Sequence, residues 1–166
     1  VINEIPENEK IIIWAKYHHA INEIKEALPS ETTAFFHGKM SEKERQSDLI
    51  RWKSDSKCRF FVATQATGGH GLTLNESSYV IFYADSFKYS ERIQAEDRCH
   101  RIGQTKPPLY ITLCCLNSID EKIRTALSRK GNLLKEFQKE VDLVKKQGVR
   151  DSILSFFEKK NDSTNI

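Results

Sequence analysis

Residues 58–74 read CRFFVATQATGGHGLTL. An unbroken apolar run over 58–63 passes straight into a loop holding Gly68, Gly69 and Gly71. A short continuous run of aromatic and β-branched residues suits a strand buried on both faces. Four more runs share that character: KIIIWA at 10–15, TTAFF at 32–36, YVIFY at 79–83 and LYITLCC at 109–115. Helical spacing fills the gaps. Ala20, Ile21, Ile24 and Leu28 form one apolar stripe, stopped by Pro29. Ser41 with Glu44 predicts a capping box opening a helix to about Trp52. Ser90 predicts the N-cap of a helix that reaches about Ile102 and ends at Gly103. Strands alternating with helices imply βαβ units, and so an α/β fold with a parallel sheet and right-handed crossovers.

The pattern changes after the fifth run. Ile119, Ile123, Ala126, Leu127, Leu133, Leu134, Phe137, Val141 and Val144 predict one or two helices, with a break at Gly131. The expected organisation is a core over 1–118, a C-terminal helical extension over 119–147 packing on it, and a flexible tail over 148–166.

Composition bounds the function. The 166 residues carry 26 Lys+Arg against 23 Asp+Glu, a net charge of +3. That excess is too small to argue for nucleic acid by itself. With 39% hydrophobic and 30% charged residues the chain is too apolar for disorder. No apolar run approaches the roughly 18 residues of a membrane span, and no basic-then-apolar leader opens the chain. Its first residue, Val1, suggests a piece of a longer polypeptide. Cys58, Cys99, Cys114 and Cys115 read as reduced thiols in a cytosolic or nuclear setting. A zinc site from Cys99, His100, His37 and His70 fits no common ligand spacing, so no metal is expected. His18 and His19 read as a solvated helix start.

In an open parallel sheet, ligands bind beyond the carboxyl ends of the strands. Three segments fall there. HGKMSEKER at 37–45 offers Gly38 amides, a capped helix start and the Lys39 cation to an anion; it also reads as a plain strand-to-helix turn. TQATGGHGLTL at 64–74 offers glycine amides with the hydroxyls of Thr64, Thr67 and Thr73, or an ordinary tight turn. QAEDRCHRIGQ at 94–104 spaces Gln94, Arg98 and Arg101 at i, i+4 and i+7, one helical face. Two such guanidiniums can grip a polyphosphate. They could equally pair with Glu91, Glu96 or Asp97 on a surface helix.

In this order the segments resemble the second RecA-like lobe of superfamily 2 helicases, in the Swi/Snf-type branch, over roughly residues 10–134. QAEDRCHRIGQ resembles that branch's last helicase motif along its whole length, and TQATGGHGLTL the motif before it. KIIIWAKYHHAI resembles the strand-helix that opens the lobe, FFHGKMSEKERQSDLIRWK the segment that follows, and YVIFYADSFKYSERIQAEDR joins the last two motifs in the family's register. The resemblance implies a RecA-like parallel sheet, P-loop NTPase-like but without its own P-loop, in a double-stranded-DNA-dependent ATPase or translocase.

It also implies roles. Arg98 and Arg101 match the arginines that reach the ATP γ-phosphate across the cleft between lobes. Gln94, Gly69, Gly71 and Thr73 fall on the nucleotide side. Thr64, His37, Gly38 and Lys39 fall where the family contacts the DNA backbone. Neither a phosphate-binding lysine loop nor an acidic metal-binding motif occurs in these residues. ATP with Mg2+ is therefore expected to be held mainly by an N-terminal RecA-like lobe of the same polypeptide, and this chain alone is expected to be inactive.

There are departures: Ala66 where many relatives are basic, Thr73 where they carry Asn, and SFKY at 86–89 in place of a Trp-Asn-Pro-like turn. They suggest an outlying microbial or viral subgroup, with a cytoplasmic location there or a nuclear one in a eukaryote. Ile153 followed by Phe156 and Phe157 resembles a sliding-clamp peptide, although Arg150 stands where glutamine is usual; it also reads as a terminal helix docking on its own domain. The competing functions are a non-enzymatic module of this fold that binds nucleic acid or protein, and an RNA-directed superfamily 2 enzyme.

Overall fold

Strand β1, Ile11–Ala15, is buried along its whole length and alternates its side chains between two cores. Ile12 and Trp14 enter one; Ile11, Ile13 and Ala15 enter the other. The computed structural model describes residues 1–68, 72–85, 88–100 and 106–147. Around β1 stand β2 (Thr33–Phe36), β3 (Phe60–Thr64), β4 (Tyr79–Phe82) and β5 (Leu109–Thr112). All pairings are parallel, in the order β2-β3-β1-β4-β5. The five apolar runs are the five strands. β5 stops at Thr112, short of Cys115, and β3 runs on to include Thr64.

Helix α1, His18–Ala27, buries Ala20, Ile21 and Ile24 against Ile11, Ile13, Phe60 and Val62. Helices α2 (Glu42–Ser54) and α4 (Tyr89–Cys99) cover the opposite face, where Trp52, Ala95 and Cys99 join Ile12, Trp14, Phe61 and Phe82. Handedness dictates this split. The β1-to-β2 connection runs one way along the sheet, whereas β2-to-β3 and β4-to-β5 run the other. Right-handed crossovers therefore put α1 on one face and α2 with α4 on the other. After β3 comes a single helical turn, α3 (Gln65–Gly68), where the sequence suggested only loop.

The capping box at α2 forms as expected: the Glu44 amide donates to Ser41 Oγ, and Ser41 N–H donates to the Glu44 carboxylate at 2.7 Å. Helix α4 departs from expectation at its start. Lys88, not Ser90, is its N-cap, because the Lys88 carbonyl already accepts from the amides of Glu91 and Arg92. Its described end is Cys99, with His100 as the C-cap in a non-helical conformation, and the Arg98 carbonyl accepts the Leu74 N–H at 3.0 Å; the expected end near Ile102 and Gly103 lies outside the described residues. Helix α5, Ile119–Gln147, passes through Gly131 without a break. One interior glycine costs only about 1 kcal/mol relative to alanine, which a helix of this length absorbs.

The chain divides into two compact units, Val1–Thr125 and Ala126–Ile166. The first holds the whole sheet; the second holds the distal part of α5, with Leu133 and Leu134 exposed. Ile153, Phe156 and Phe157 lie outside the described residues. Among the described residues, no helix is long and apolar enough to cross a membrane.

Candidate nucleotide and nucleic-acid interface

Five parallel strands end on one rim, so the loops that follow them share it. Thr64, the last residue of β3, is buried, and its hydroxyl donates to Thr67 Oγ1 at 2.8 Å. Gly38, beyond β2, lies against that same Thr67 oxygen: a Cβ built on Gly38 would stand 3.5 Å from it. Two segments that the sequence offered separately thus meet through Thr67. Gly38 and Lys39 are exposed, in a turn closed by the Met40 N–H donating to the His37 carbonyl at 3.1 Å.

His37 itself is half-buried, and its ring meets that of His18 edge-on with centroids 5.1 Å apart. The expected solvated pair therefore splits. His19 is exposed and pairs with Glu23 at 3.1 Å, while His18 turns to the rim. Burial, then the charges of His18, Lys25, Lys39 and Arg45, push the proton affinity of His37 below its ordinary value. The charged neighbours that lower it are all basic; the Glu44 carboxylate also interacts with the ring. Arg45 is fixed by its bond to the Met40 carbonyl at 2.9 Å and by stacking over Phe36. The Ser41 hydroxyl and amide hold the Glu44 carboxyl below its usual range.

On α4, Gln94 is exposed and Arg98 half-buried. Elsewhere on α4, Glu96 takes Arg92 at 2.6 Å, and Glu91 takes Lys88 at 3.1 Å and Lys16 at 3.5 Å. The Thr73 carbonyl accepts from Lys53 at 2.7 Å. Arg101, Gly69 and Gly71 lie outside the described residues, so only Gln94 and Arg98 of the expected helical face stand on α4. An exposed amide and a guanidinium on one helix are a donor set that suits the acceptor-only oxygens of a polyphosphate. Cys99 is sealed in the core, where burial pushes its thiol up to about 12, so it offers no thiolate. Among the described residues, no group of three or more His, Cys, Asp or Glu is arranged to hold a metal ion.

The sequence reading missed one group. Arg92 Nη1 donates to Asp85 at 2.5 Å and to Thr112 Oγ1 at 3.1 Å, and its Nε donates to Glu96. Its guanidinium stacks 3.4 Å from the Phe82 ring centre. Gln65 Nε2 donates to the other Asp85 oxygen at 2.8 Å. The i, i+4 spacing of Arg92 and Glu96 was the available signal.

A parallel sheet in this order, with polar loops gathered at its carboxyl rim, defines a RecA-like lobe. The chain belongs to the helicase conserved C-terminal domain family, which matches residues 1–103. It is 39% identical over 95 residues to the human lymphoid-specific helicase, covering 56% of this chain and 11% of that protein. It is 28% identical over 154 residues to the Arabidopsis thaliana protein CHROMATIN REMODELING 24, covering 90% and 14%. A crystal structure of the C-terminal part of the Fun30 ATPase domain superposes with a TM-score of 0.69 at 27% identity, covering 76% of this chain and 41% of that one. These are Swi/Snf-type helicases, and the chain spans only a small part of the length of its curated relatives.

Proposed function

We propose that this chain is the second lobe of a double-stranded-DNA-dependent ATPase that translocates on duplex DNA. In this reading Arg98 and Arg101 reach the γ-phosphate of an ATP held, with Mg2+, mainly by an N-terminal RecA-like lobe of the same polypeptide. Gln94, Gly69, Gly71 and Thr73 complete the nucleotide side. Thr64, His37, Gly38 and Lys39 grip the DNA backbone. The bound nucleotide supplies the phosphoanhydride bond; this lobe supplies positive charge where the transferred phosphoryl group gathers negative charge.

The observation that supports the reading is a pair of features. Gly38, Thr64 and Thr67 meet beside His37 at the carboxyl rim, and α4, which starts from that rim, carries Gln94 and Arg98 in its later turns. Curated relatives named as ATP-dependent helicases, as a chromatin remodelling protein and as a DNA repair protein support ATP use, a DNA partner and a nuclear site of action. The test is ATP hydrolysis by the full-length polypeptide with and without duplex DNA, beside this chain alone. Hydrolysis stimulated by duplex DNA is expected from the full-length protein, and none from the lobe. Equal stimulation by duplex RNA, or no stimulation, overturns the reading.

A further inference from the structure

Helix α4 has little apolar anchorage. Only Ala95 and Cys99 are buried, and no side chain caps its first turn. Its orientation therefore rests largely on polar contacts. Arg92 makes those nearest the strand ends, while the Tyr110 hydroxyl on the Glu96 carbonyl and the Leu74 amide on the Arg98 carbonyl hold the far turn. The Arg92 side chain is 14% exposed and that of Asp85 7%. Through them α4 is fixed to β4 at Phe82, to Asp85 three residues beyond it, to β5 at Thr112 and, by way of Gln65, to the end of β3. Gln65 directly follows Thr64, whose hydroxyl bonds Thr67 beside Gly38.

The geometry of the helix gives this anchorage a direction. At about 100° per residue, Gln94 and Arg98 lie roughly 200° and 240° around the axis from Arg92. Ala95, Glu96 and Cys99 lie within about 60° of it, on the side facing the sheet. Seating Arg92 on the sheet thus turns Gln94 and Arg98 away from it. A guanidinium is suited to that task. It is flat enough to stack on Phe82, and its fork meets Asp85 and Glu96 together, which a single ammonium cannot do.

We propose that Arg92 is a positioning residue. Through Asp85 and Gln65 it registers α4, with Gln94 and Arg98, against the strand end that carries Thr64. This rests on the ATPase reading above. Arg92 touches neither nucleotide nor DNA; it sets the angle at which Arg98 is presented, and so acts on the transition state rather than on ground-state binding.

The test is Arg92→Lys in the full-length polypeptide, which keeps a cation beside Asp85 and loses only the fork and the stacking. The expected result is kcat for DNA-stimulated ATP hydrolysis down about tenfold or more, with KM for ATP and Kd for duplex DNA within about twofold and melting unchanged. Should Arg92→Lys fail to fold, the uncharged pair Asp85→Asn/Arg92→Met replaces it, with the same expectation. A folded variant with kcat within about twofold of wild type overturns the proposal. So does a parallel decline of kcat, KM, DNA affinity and melting temperature, which marks a structural role only. A wild-type protein without DNA-stimulated hydrolysis overturns the parent reading instead, and this one with it.

Discussion

The backbone N–H of Leu74 donates to the carbonyl of Arg98 at 3.0 Å. One hydrogen bond thus ties the segment after the glycine loop to the last turn of α4. Lys53 steadies the same segment from α2, donating to the Thr73 carbonyl at 2.7 Å and pairing with Glu76 at 2.9 Å. Lys53→Met removes both contacts and leaves the Glu76 carboxylate without that cation. The expected cost is about 1–2 kcal/mol, held down by partial exposure of the pair and read from urea unfolding. A change below about 0.3 kcal/mol means this lysine does not hold the segment.

Arg98 follows from that placement. Under the proposed function, Arg98→Ala in the full-length protein lowers DNA-stimulated ATP turnover by about 10³-fold or more and leaves duplex affinity nearly unchanged. Arg101→Ala behaves the same way. Steady-state hydrolysis with fluorescence anisotropy on a labelled duplex measures both quantities, and near-normal turnover in either variant removes that arginine from the reaction.

The attachment of α2 yields a ranking of stability effects. Trp52 is its one fully buried side chain, with the ring 5.0 Å from that of Phe61. Lys10 lies over the indole and donates to the carbonyls of Trp52 and Asp55, closing the helix C-terminus. Trp52→Ala is expected to cost about 3–5 kcal/mol through the cavity it leaves. Lys10→Met costs about 1–3 kcal/mol by stranding those carbonyls. Ser41→Ala costs about 1 kcal/mol through the lost cap. Urea unfolding followed by far-UV circular dichroism orders the three; a cap variant as damaging as Trp52→Ala contradicts the ranking.

These features differ in how openly the sequence carries them. The strands were legible because burial on both faces leaves unbroken runs such as IIIWA and FFVAT. The start of α2 was legible because Ser41 and Glu44 satisfy each other locally. The tie at the far turn of α4 was not, since the Arg98 carbonyl accepts from an amide far back in the chain. Arg92 and Arg98 look alike in a polar helix. Which of them turns inward is decided by Asp85, Thr112 and Phe82, which become neighbours only once β4 and β5 pair. His18 was likewise opaque, because its partner His37 directly follows a strand that is not adjacent to β1.

His37 makes the basic rim titratable. Burial, then its basic neighbours, depress its proton affinity in the fold, so the unfolded chain binds the proton more readily. Stability is therefore flat above the ordinary histidine value of about 6.5, falls as pH drops from there to the folded pKa, and levels off below it. His37→Gln should flatten that segment of a melting-temperature profile. The neighbours that depress His37 are also those that would face a DNA phosphate in the proposed interface. A phosphate there opposes their charge and raises the His37 midpoint. NMR titration of the ring, without and with a saturating short duplex, measures both states. The midpoint is expected below 6.5 in the free protein and higher with DNA. A midpoint that duplex DNA leaves unmoved takes His37 out of the interface and leaves Lys39 and Gly38 without their titratable witness.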